Sequence, residues 1–149
     1  FTMKLFKVAA VAAIVVSASA FAGSVPQFSD HGGHNYGGPD SVLSIYQTGS
    51  SNSALALQSD ARDSSTTIRQ NGSSNGADVG QGSDDSTISL SQNGFHNSAT
   101  IDQWNSRDST ISVSQYGGGN GALVNQTASG STVNVHQVGF GNNATANQY

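Results

Sequence analysis

The chain has 149 residues, a net charge of −4 at pH 7 and no cysteine, and only 9% of its residues are charged. All nine acidic residues are Asp, and both lysines lie within the first seven positions. The net negative charge argues against electrostatic binding to nucleic acid, and the absence of cysteine excludes a disulfide framework.

The first predicted element is a secretory signal peptide over residues 3–22, with Met3 as the natural start. Two lysines precede the apolar run Val8–Val16, and the A-x-A sequence that ends at Ala22 is typical of a signal peptidase site before Gly23. A transmembrane anchor is the alternative, but the apolar run is too short to span a bilayer. We therefore expect cleavage between Ala22 and Gly23.

A disordered leader is predicted over residues 23–40, which are rich in Gly, His and Asp and show no hydrophobic periodicity. His31 and His34 are too few for a metal site, which uses further ligands, so we predict no metal and no other cofactor. If the protein is exported, we expect this leader to be an address that the export machinery recognises.

Copies of a single unit occupy residues 41–149. Each copy keeps an opening Ser, a Gln six residues later, an Asn five beyond it and a closing Gln six further on, and successive copies start 22 or 23 residues apart. A period near this length is typical of repeat architectures. The five repeats are Ser41–Gln58, Ser64–Gln81, Ser86–Gln103, Ser109–Gln126 and Ser131–Gln148.

Each repeat predicts two short strands joined by a turn. In the third repeat, alternate residues from Ser86 to Gln92 form one face of the first strand, and those from Asn97 to Gln103 form one face of the second. Thr66 is the one first-strand core position that is not aliphatic. The second turn residue is always glycine, which tolerates the positive φ of a tight reversal. These turn glycines are Gly49, Gly72, Gly94, Gly117 and Gly139.

The repeated polar residues are predicted to face inwards and to stack over their counterparts, where each amide donates to one neighbour and accepts from the other. The first Gln ladder comprises Gln47, Gln70, Gln92, Gln115 and Gln137. The Asn ladder comprises Asn52, Asn75, Asn97, Asn120 and Asn142. The closing Gln ladder comprises Gln58, Gln81, Gln103, Gln126 and Gln148. The serine column comprises Ser41, Ser64, Ser86, Ser109 and Ser131.

These features predict an all-β fold, a β-solenoid whose strand–turn–strand repeats form two facing parallel sheets, with a rise of about 4.8 Å per turn. A soluble monomeric solenoid needs polar caps at its ends, and none is evident between the leader and Gln148. We expect both outer turns to expose strand edges, so that the last turn of one molecule templates the first turn of the next.

Two other classes of function are open to this fold. A monomeric β-solenoid that binds ice or carbohydrate would present a regular outward array, whereas the outward residues vary, for example Val42, Ser65 and Thr87. A β-helix enzyme needs clustered acids and a nucleophile beside a base, and the repeats offer neither. The stretch Gly117–Gly121 lacks the acidic oxygen ligands of calcium-binding repeats. We therefore predict a self-assembling structural protein that is not an enzyme.

The S-x5-Q-x4-N-x5-Q repeat, behind a signal peptide and a Gly-rich leader, resembles the curlin family. The likeness extends to the sequences QSDARDS, NGADVGQGSDDS and VGFGNNATANQY. The resemblance implies a subunit of functional amyloid, the curli fibre (a fimbrium or pilus), secreted to the surface of a Gram-negative bacterium for cell adhesion and the biofilm matrix. It also implies export through an outer-membrane pore with accessory proteins, nucleation by a minor curlin, and binding of host matrix proteins.

Charged residues inside the repeats are predicted to act as gatekeepers against strand pairing. The second repeat carries Arg69 and Asp78, the third carries Asp102, and the other repeats carry no charged residue between their opening Ser and closing Gln. In a fibre built from one peptide, such charges stack over like charges on every turn and repel.

Synthetic repeat peptides should therefore assemble at different rates in a seeded thioflavin fluorescence assay. Peptides Ser41–Gln58 and Ser131–Gln148 should form fibres fastest, and Ser64–Gln81 slowest. Removing the charges of the slow peptide, with Arg69→Ser and Asp78→Ala together, should speed its assembly. Equal rates for the charged and uncharged peptides would show that charge is not the restraint.

Overall fold

A computed structural model of the chain describes residues 11–17, 24–25, 41–59 and 61–149. The strands in chain order are β1 Val11–Ser17, β2 Ser24–Val25, β3 Val42–Ser50, β4 Asn52–Gln58, β5 Ser65–Ser73, β6 Gly76–Asp84, β7 Thr87–Phe95, β8 Ser98–Arg107, β9 Thr110–Gly118, β10 Gly121–Gln126, β11 Thr132–Phe140 and β12 Asn143–Gln148. Within these ranges, no helix is long and apolar enough to cross a membrane. The predicted cleavage site at Ala22 and Gly23 lies outside the described residues, as does the leader apart from Ser24 and Val25.

The strands β3 to β12 form two parallel sheets, which confirms the predicted β-solenoid. The first strands of the repeats pair in the order β3-β5-β7-β9-β11, and the second strands in the order β4-β6-β8-β10-β12. The register places each residue beside its counterpart in the next repeat, so that Gln70 pairs with Gln47 on one side and Gln92 on the other. We call each repeat in this stack a rung and number the rungs 1 to 5.

Apolar side chains from both sheets meet in one core. The first strands supply residues such as Ile68 and Leu90, and the second strands supply residues such as Ile101, all at most 1% exposed. Thr66 takes the core position that the strand parity predicts and is also 1% exposed. Its hydroxyl donates to Oε1 of Gln81 at 2.6 Å, so the one polar side chain among the aliphatic first-strand positions is satisfied.

Glycine is required in each turn by the backbone, and in rungs 1 to 4 also by the adjacent rung. The turn glycines have φ between +108° and +129°, a region that L side chains rarely adopt. A Cβ atom on Gly94 would lie 1.8 Å from the carbonyl oxygen of Gly117 on the next rung. Two residues after each of these glycines the chain is again left-handed, for example at His96 with φ of 54°.

The connections that follow rungs 2 and 3 are ordered by strand pairing. β6 and β8 continue past their closing Gln residues, and Gly82 pairs with Trp104 before the register shifts. The Trp104 ring lies over the backbone of rung 2, because Cβ atoms on Gly80 and Gly82 would meet it at 3.0 and 2.1 Å. Trp104 therefore packs against rung 2 where these two glycines leave room.

The outer edge of rung 1 is covered, so the prediction that both outer rungs are open is wrong at this end. β1 runs antiparallel along β4, from Val11 opposite Gln58 to Ser17 opposite Asn52, and β2 pairs antiparallel with β3. The unpaired N–H and C=O groups at a sheet edge can pair with another strand. Here β1 and β2 of the same chain pair with them. Ser44, which alternates with the core residues Leu43 and Ile45 in β3 and pairs with Ser24 of β2, is only 8% exposed. At rung 5, no described strand pairs with the outer edges of β11 and β12.

Replacing a turn glycine should destabilise the fold far more than replacing a strand glycine. Gly94→Ala should lower the free energy of unfolding by more than about 2 kcal/mol, because a strained φ alone costs about 1–3 kcal/mol. Gly76→Ala is the matched control, since a Cβ there meets nothing within 4 Å. The guanidinium midpoint of the β-sheet circular-dichroism signal measures both, and equal midpoints would contradict this turn geometry.

Candidate functional site

The first Gln ladder is a continuous column of hydrogen-bonded side chains inside the solenoid. From Gln47 to Gln137, Nε2 of each Gln donates to Oε1 of the Gln on the next rung, at 2.6 to 2.9 Å. Every member is at most 6% exposed. The amides also link the two sheets, because Gln92 Nε2 donates to the carbonyl oxygen of Gly76 at 2.9 Å.

The closing Gln ladder runs in the same direction. From Gln58 to Gln148, each Nε2 donates to Oε1 of the next rung at 2.8 to 3.0 Å. The same amide group reaches the start of the following repeat, since Gln81 Nε2 donates to the carbonyl oxygen of Ser86 at 3.1 Å. The ladder therefore joins the end of one repeat to the beginning of the next.

The Asn ladder runs in the opposite direction. From Asn142 back to Asn52, each Nδ2 donates to Oδ1 of the preceding rung at 3.0 to 3.1 Å. The same Oδ1 also accepts the backbone N–H of the following Asn. Nδ2 donates as well to a turn carbonyl on the following rung, as from Asn75 to Gly94 at 3.1 Å. Each Asn thus fixes its turn to both neighbouring turns.

The opening serines hold the corners between rungs. Ser64 Oγ accepts the N–H of Ser86 at 3.2 Å and donates to the carbonyl oxygen of Ser83 at 2.6 Å. Sequence reasoning missed two partners in these corners, Ser83 and Ser106, which are each 2% exposed and bonded to each other at 3.0 Å. They follow their closing Gln by two and three residues respectively, so a fixed spacing does not reveal them.

The residues predicted to be gatekeepers lie on the outer faces. The guanidinium of Arg69 lies over the ring of Tyr46, with Cζ 5.3 Å from the centroid. Asp78 and Asp102 each pair with uncharged residues on both adjacent rungs. Like charges therefore do not stack at these positions within a single chain, and the gatekeeper role stays a prediction for fibres of isolated peptides.

The described part of the chain gathers no group of three or more His, Cys, Asp or Glu side chains that could hold a metal ion. His96 packs edge-on against Phe95, and His136 lies 5.9 Å from the ring of Tyr116. Both histidines are exposed. His31 and His34 fall outside the described residues. The chemistry of the interior is that of amides and hydroxyls bonded to one another.

The two ends of the solenoid differ in how their inward amides are covered. At rung 5, Gln148 and Asn142 are half-buried, whereas Gln126 and Asn120 one rung below are at most 1% exposed. At rung 1, the Oε1 atom of Gln58 is buried and has no hydrogen-bond partner. Both ends therefore carry amide groups whose place in a ladder is incomplete.

Comparisons with known proteins find the same repeat in a known family. The curlin associated repeat family matches residues 38–81, 83–117 and 106–139. The major curlin subunit of Salmonella typhimurium is 72% identical over 86 residues, which cover 55% of this chain and 57% of that protein. The major curlin subunit of Escherichia coli strain K12 is 66% identical over 86 residues, with the same coverage. The matches thus span just over half the length of these relatives.

Removing one buried amide should slow assembly and weaken the stack. Gln103→Met keeps the side-chain volume but loses the hydrogen bonds to Gln126 and Gln81, at 2.8 and 3.0 Å. Each buried partner left unpaired costs about 1–3 kcal/mol, so the thioflavin lag should lengthen and the guanidinium midpoint should fall. Ser98→Ala, at an exposed position of the same strand, should change neither. Identical behaviour of the two variants would exclude a contribution from the amide.

Proposed function

Because the chain belongs to the curlin associated repeat family, we propose that it is a secreted structural subunit that assembles with its own copies into an extracellular amyloid fibre. The identity to proteins named major curlin subunit supports a fibre of the curli type. The family resemblance further supports roles in adhesion and in the biofilm matrix.

One observation carries the proposal: the parallel strand pairing within the repeats and the amide ladders recur from rung to rung and are left unfinished at rung 5. The parallel pairing of β9 with β11 repeats that of β7 with β9, residue for residue. A second copy that places its β4 on β12 and, once β2 has left that edge, its β3 on β11 continues both sheets. Backbone ladders and stacked Gln and Asn side chains then run along the fibre axis, as they do in amyloid.

The N-terminal segments fit a route out of the cell. Residues 3–22 direct secretion and are removed before Gly23, residues 23–40 carry the export address, and residues 41–149 form the amyloid core. Because β1 lies within residues 3–22, cleavage also removes the strand that covers β4. By resemblance to the family, the partners are an outer-membrane pore with its accessory proteins, a minor curlin nucleator and host matrix proteins.

The interior chemistry supports a structural role in preference to an enzymatic one. The buried hydroxyls and amides are engaged with each other, as Ser64 is with Ser83 and Gln92 with Gln115. A nucleophile needs a base positioned beside it, and these serines contact carbonyl oxygens instead. The monomeric ice-binding or carbohydrate-binding module is not favoured, because the outward residues change from rung to rung.

The test is assembly of the exported chain, purified in denaturant and then desalted. We expect a thioflavin time course with a lag that preformed fibres abolish, because a rung edge templates the next chain. Fibre diffraction should show a meridional reflection at about 4.8 Å, the spacing of paired strands. A chain that remains monomeric by light scattering while it acquires its β-sheet signal would contradict the proposal and favour a monomeric binding module.

A further inference from the structure

Two residues of the Asn ladder are followed directly by glycine, and we propose that these two, Asn75 and Asn120, are deamidation sites that react in the unfolded chain and are protected by folding. Loss of either amide removes a chain from those able to form the solenoid. The reaction therefore limits how long an unfolded chain stays able to fold. The inference concerns the folding of a single chain and does not depend on the fibre.

The reaction uses the Asn side chain, the backbone nitrogen that follows it and water. In the unfolded chain, N of Gly76 attacks Cγ of Asn75, the Cγ–Nδ2 bond breaks, and Nδ2 leaves as ammonia with the proton of the Gly76 N–H. Water then opens the five-membered imide. Opening at Cγ gives Asp, and opening at the backbone carbonyl gives isoaspartate, whose main chain runs through Cβ. Glycine favours the attack because it has no Cβ beside its nitrogen and has the widest backbone freedom.

Only rungs 2 and 4 carry glycine after the ladder Asn. Asn52 and Asn97 are followed by Ser, and Asn142 is followed by a second Asn, so a Cβ hinders the attacking nitrogen at these three positions. The ladder thus has two reactive members among five that are otherwise alike. Asn97 is a slow reference site in the same chain.

In the solenoid, every reacting group of Asn75 is engaged. The side chain is 1% exposed, and its leaving group Nδ2 donates to Oδ1 of Asn52 and to the carbonyl oxygen of Gly94, each at 3.1 Å. The attacking nitrogen, that of Gly76, donates to the carbonyl oxygen of Asn97 at 2.7 Å. Attack requires these bonds to break and the side chain to turn back over its own backbone, so the folded chain reacts only through local opening.

Asn120 is enclosed in the same way on rung 4. It is 1% exposed, and its Nδ2 donates to Oδ1 of Asn97 and to the carbonyl oxygen of Gly139, each at 3.0 Å. The nitrogen of Gly121 donates to the carbonyl oxygen of Asn142 at 2.7 Å. Folding therefore protects both sites by the same contacts.

Either product disrupts the ladder. An Asp side chain in place of Asn75 still accepts from Asn97 but has no N–H for the carbonyl oxygen of Gly94, so two oxygens are buried against each other. Isoaspartate adds an atom to the main chain and shifts the residues that follow out of register. Asn71 and Asn93 also precede glycine, but their side chains are exposed on the outer face, so an Asp there leaves the Asn ladder intact.

Gly76→Ser tests the chemistry without altering the fold. A Cβ on Gly76 meets nothing within 4 Å, and rungs 1 and 3 carry Ser at this place. The exported chain and the variant are held at mildly alkaline pH, in guanidinium and, in parallel, folded without denaturant. Peptide mass spectrometry follows the exchange of each amide for a carboxylate. In guanidinium, Asn75 should react at least about tenfold more slowly in the variant, and this comparison needs no folded variant.

The same samples test protection by folding. In guanidinium, Asn75 and Asn120 of the unmodified sequence should lose their amides faster than Asn97, and the folded chain should retain both at least about tenfold longer. After removal of guanidinium, the fraction of chains that regains the β-sheet circular-dichroism signal should fall as the two sites convert. Equal loss at Asn75 in folded and unfolded chains, or unchanged loss in Gly76→Ser, would overturn the inference.

Asn75→Asp tests the consequence, and Asn71→Asp is the matched control, because it makes the same change at an exposed Asn that also precedes glycine. Asn75→Asp should lower the guanidinium midpoint or prevent recovery of the β-sheet signal, whereas Asn71→Asp should keep the midpoint of the unmodified chain. Equal midpoints for the two variants would also overturn the inference. A chain that shows all these effects and yet forms no fibres would refute only the proposed function.

Discussion

The structure depends on one constraint, that each amide buried between the sheets needs a partner on an adjacent rung. A buried amide left unpaired costs about 1–3 kcal/mol, which is as much as the burial of a large aliphatic side chain contributes, about 1.5–3 kcal/mol. Each of rungs 1 to 4 buries a Ser, an Asn and two Gln of the repeated set, so leaving these groups unpaired would offset much of the stability that the aliphatic core of a rung supplies. Stacking removes that penalty.

This constraint also explains why the spacing varies only outside the repeats. A slip of one residue within a strand would move every inward amide to the outer face, so the distance from opening Ser to closing Gln cannot change. The extra residue in some periods falls in the corners, where Ser83 and Ser106 stand at different distances from their closing Gln and still bond to each other at 3.0 Å. Where the extended ends of β6 and β8 pair, the difference appears as a register shift after Gly82.

The strand parity, the parallel pairing and the turn glycines could be predicted from the sequence. Inward and outward residues alternate within a repeat of about 22 residues, and few folds are compatible with both patterns. The direction of each ladder was not, since it depends on which side-chain amide atom faces which rung. Gln92 donates forward and Asn97 backward, a difference that composition and spacing do not encode. The packing of Trp104 on Gly80 and Gly82 occurs once in the array, and the pairing of β1 with β4 involves a segment outside the repeats, so neither leaves a repeated signal.

In the proposed fibre, folding and assembly would form the same contacts. When β11 adds to β9, it forms the backbone pairs and the Gln115–Gln137 hydrogen bond that a second copy would form on β11. The edges do not distinguish a rung of the same chain from a rung of another, because each rung presents the same ladder groups in the same register. Whether the added rung belongs to the same chain or to a second copy depends on which edge is accessible. Among the described strands, β1 and β2 cover rung 1 and none covers rung 5, and the proposed cleavage would expose the edge of β4 as well.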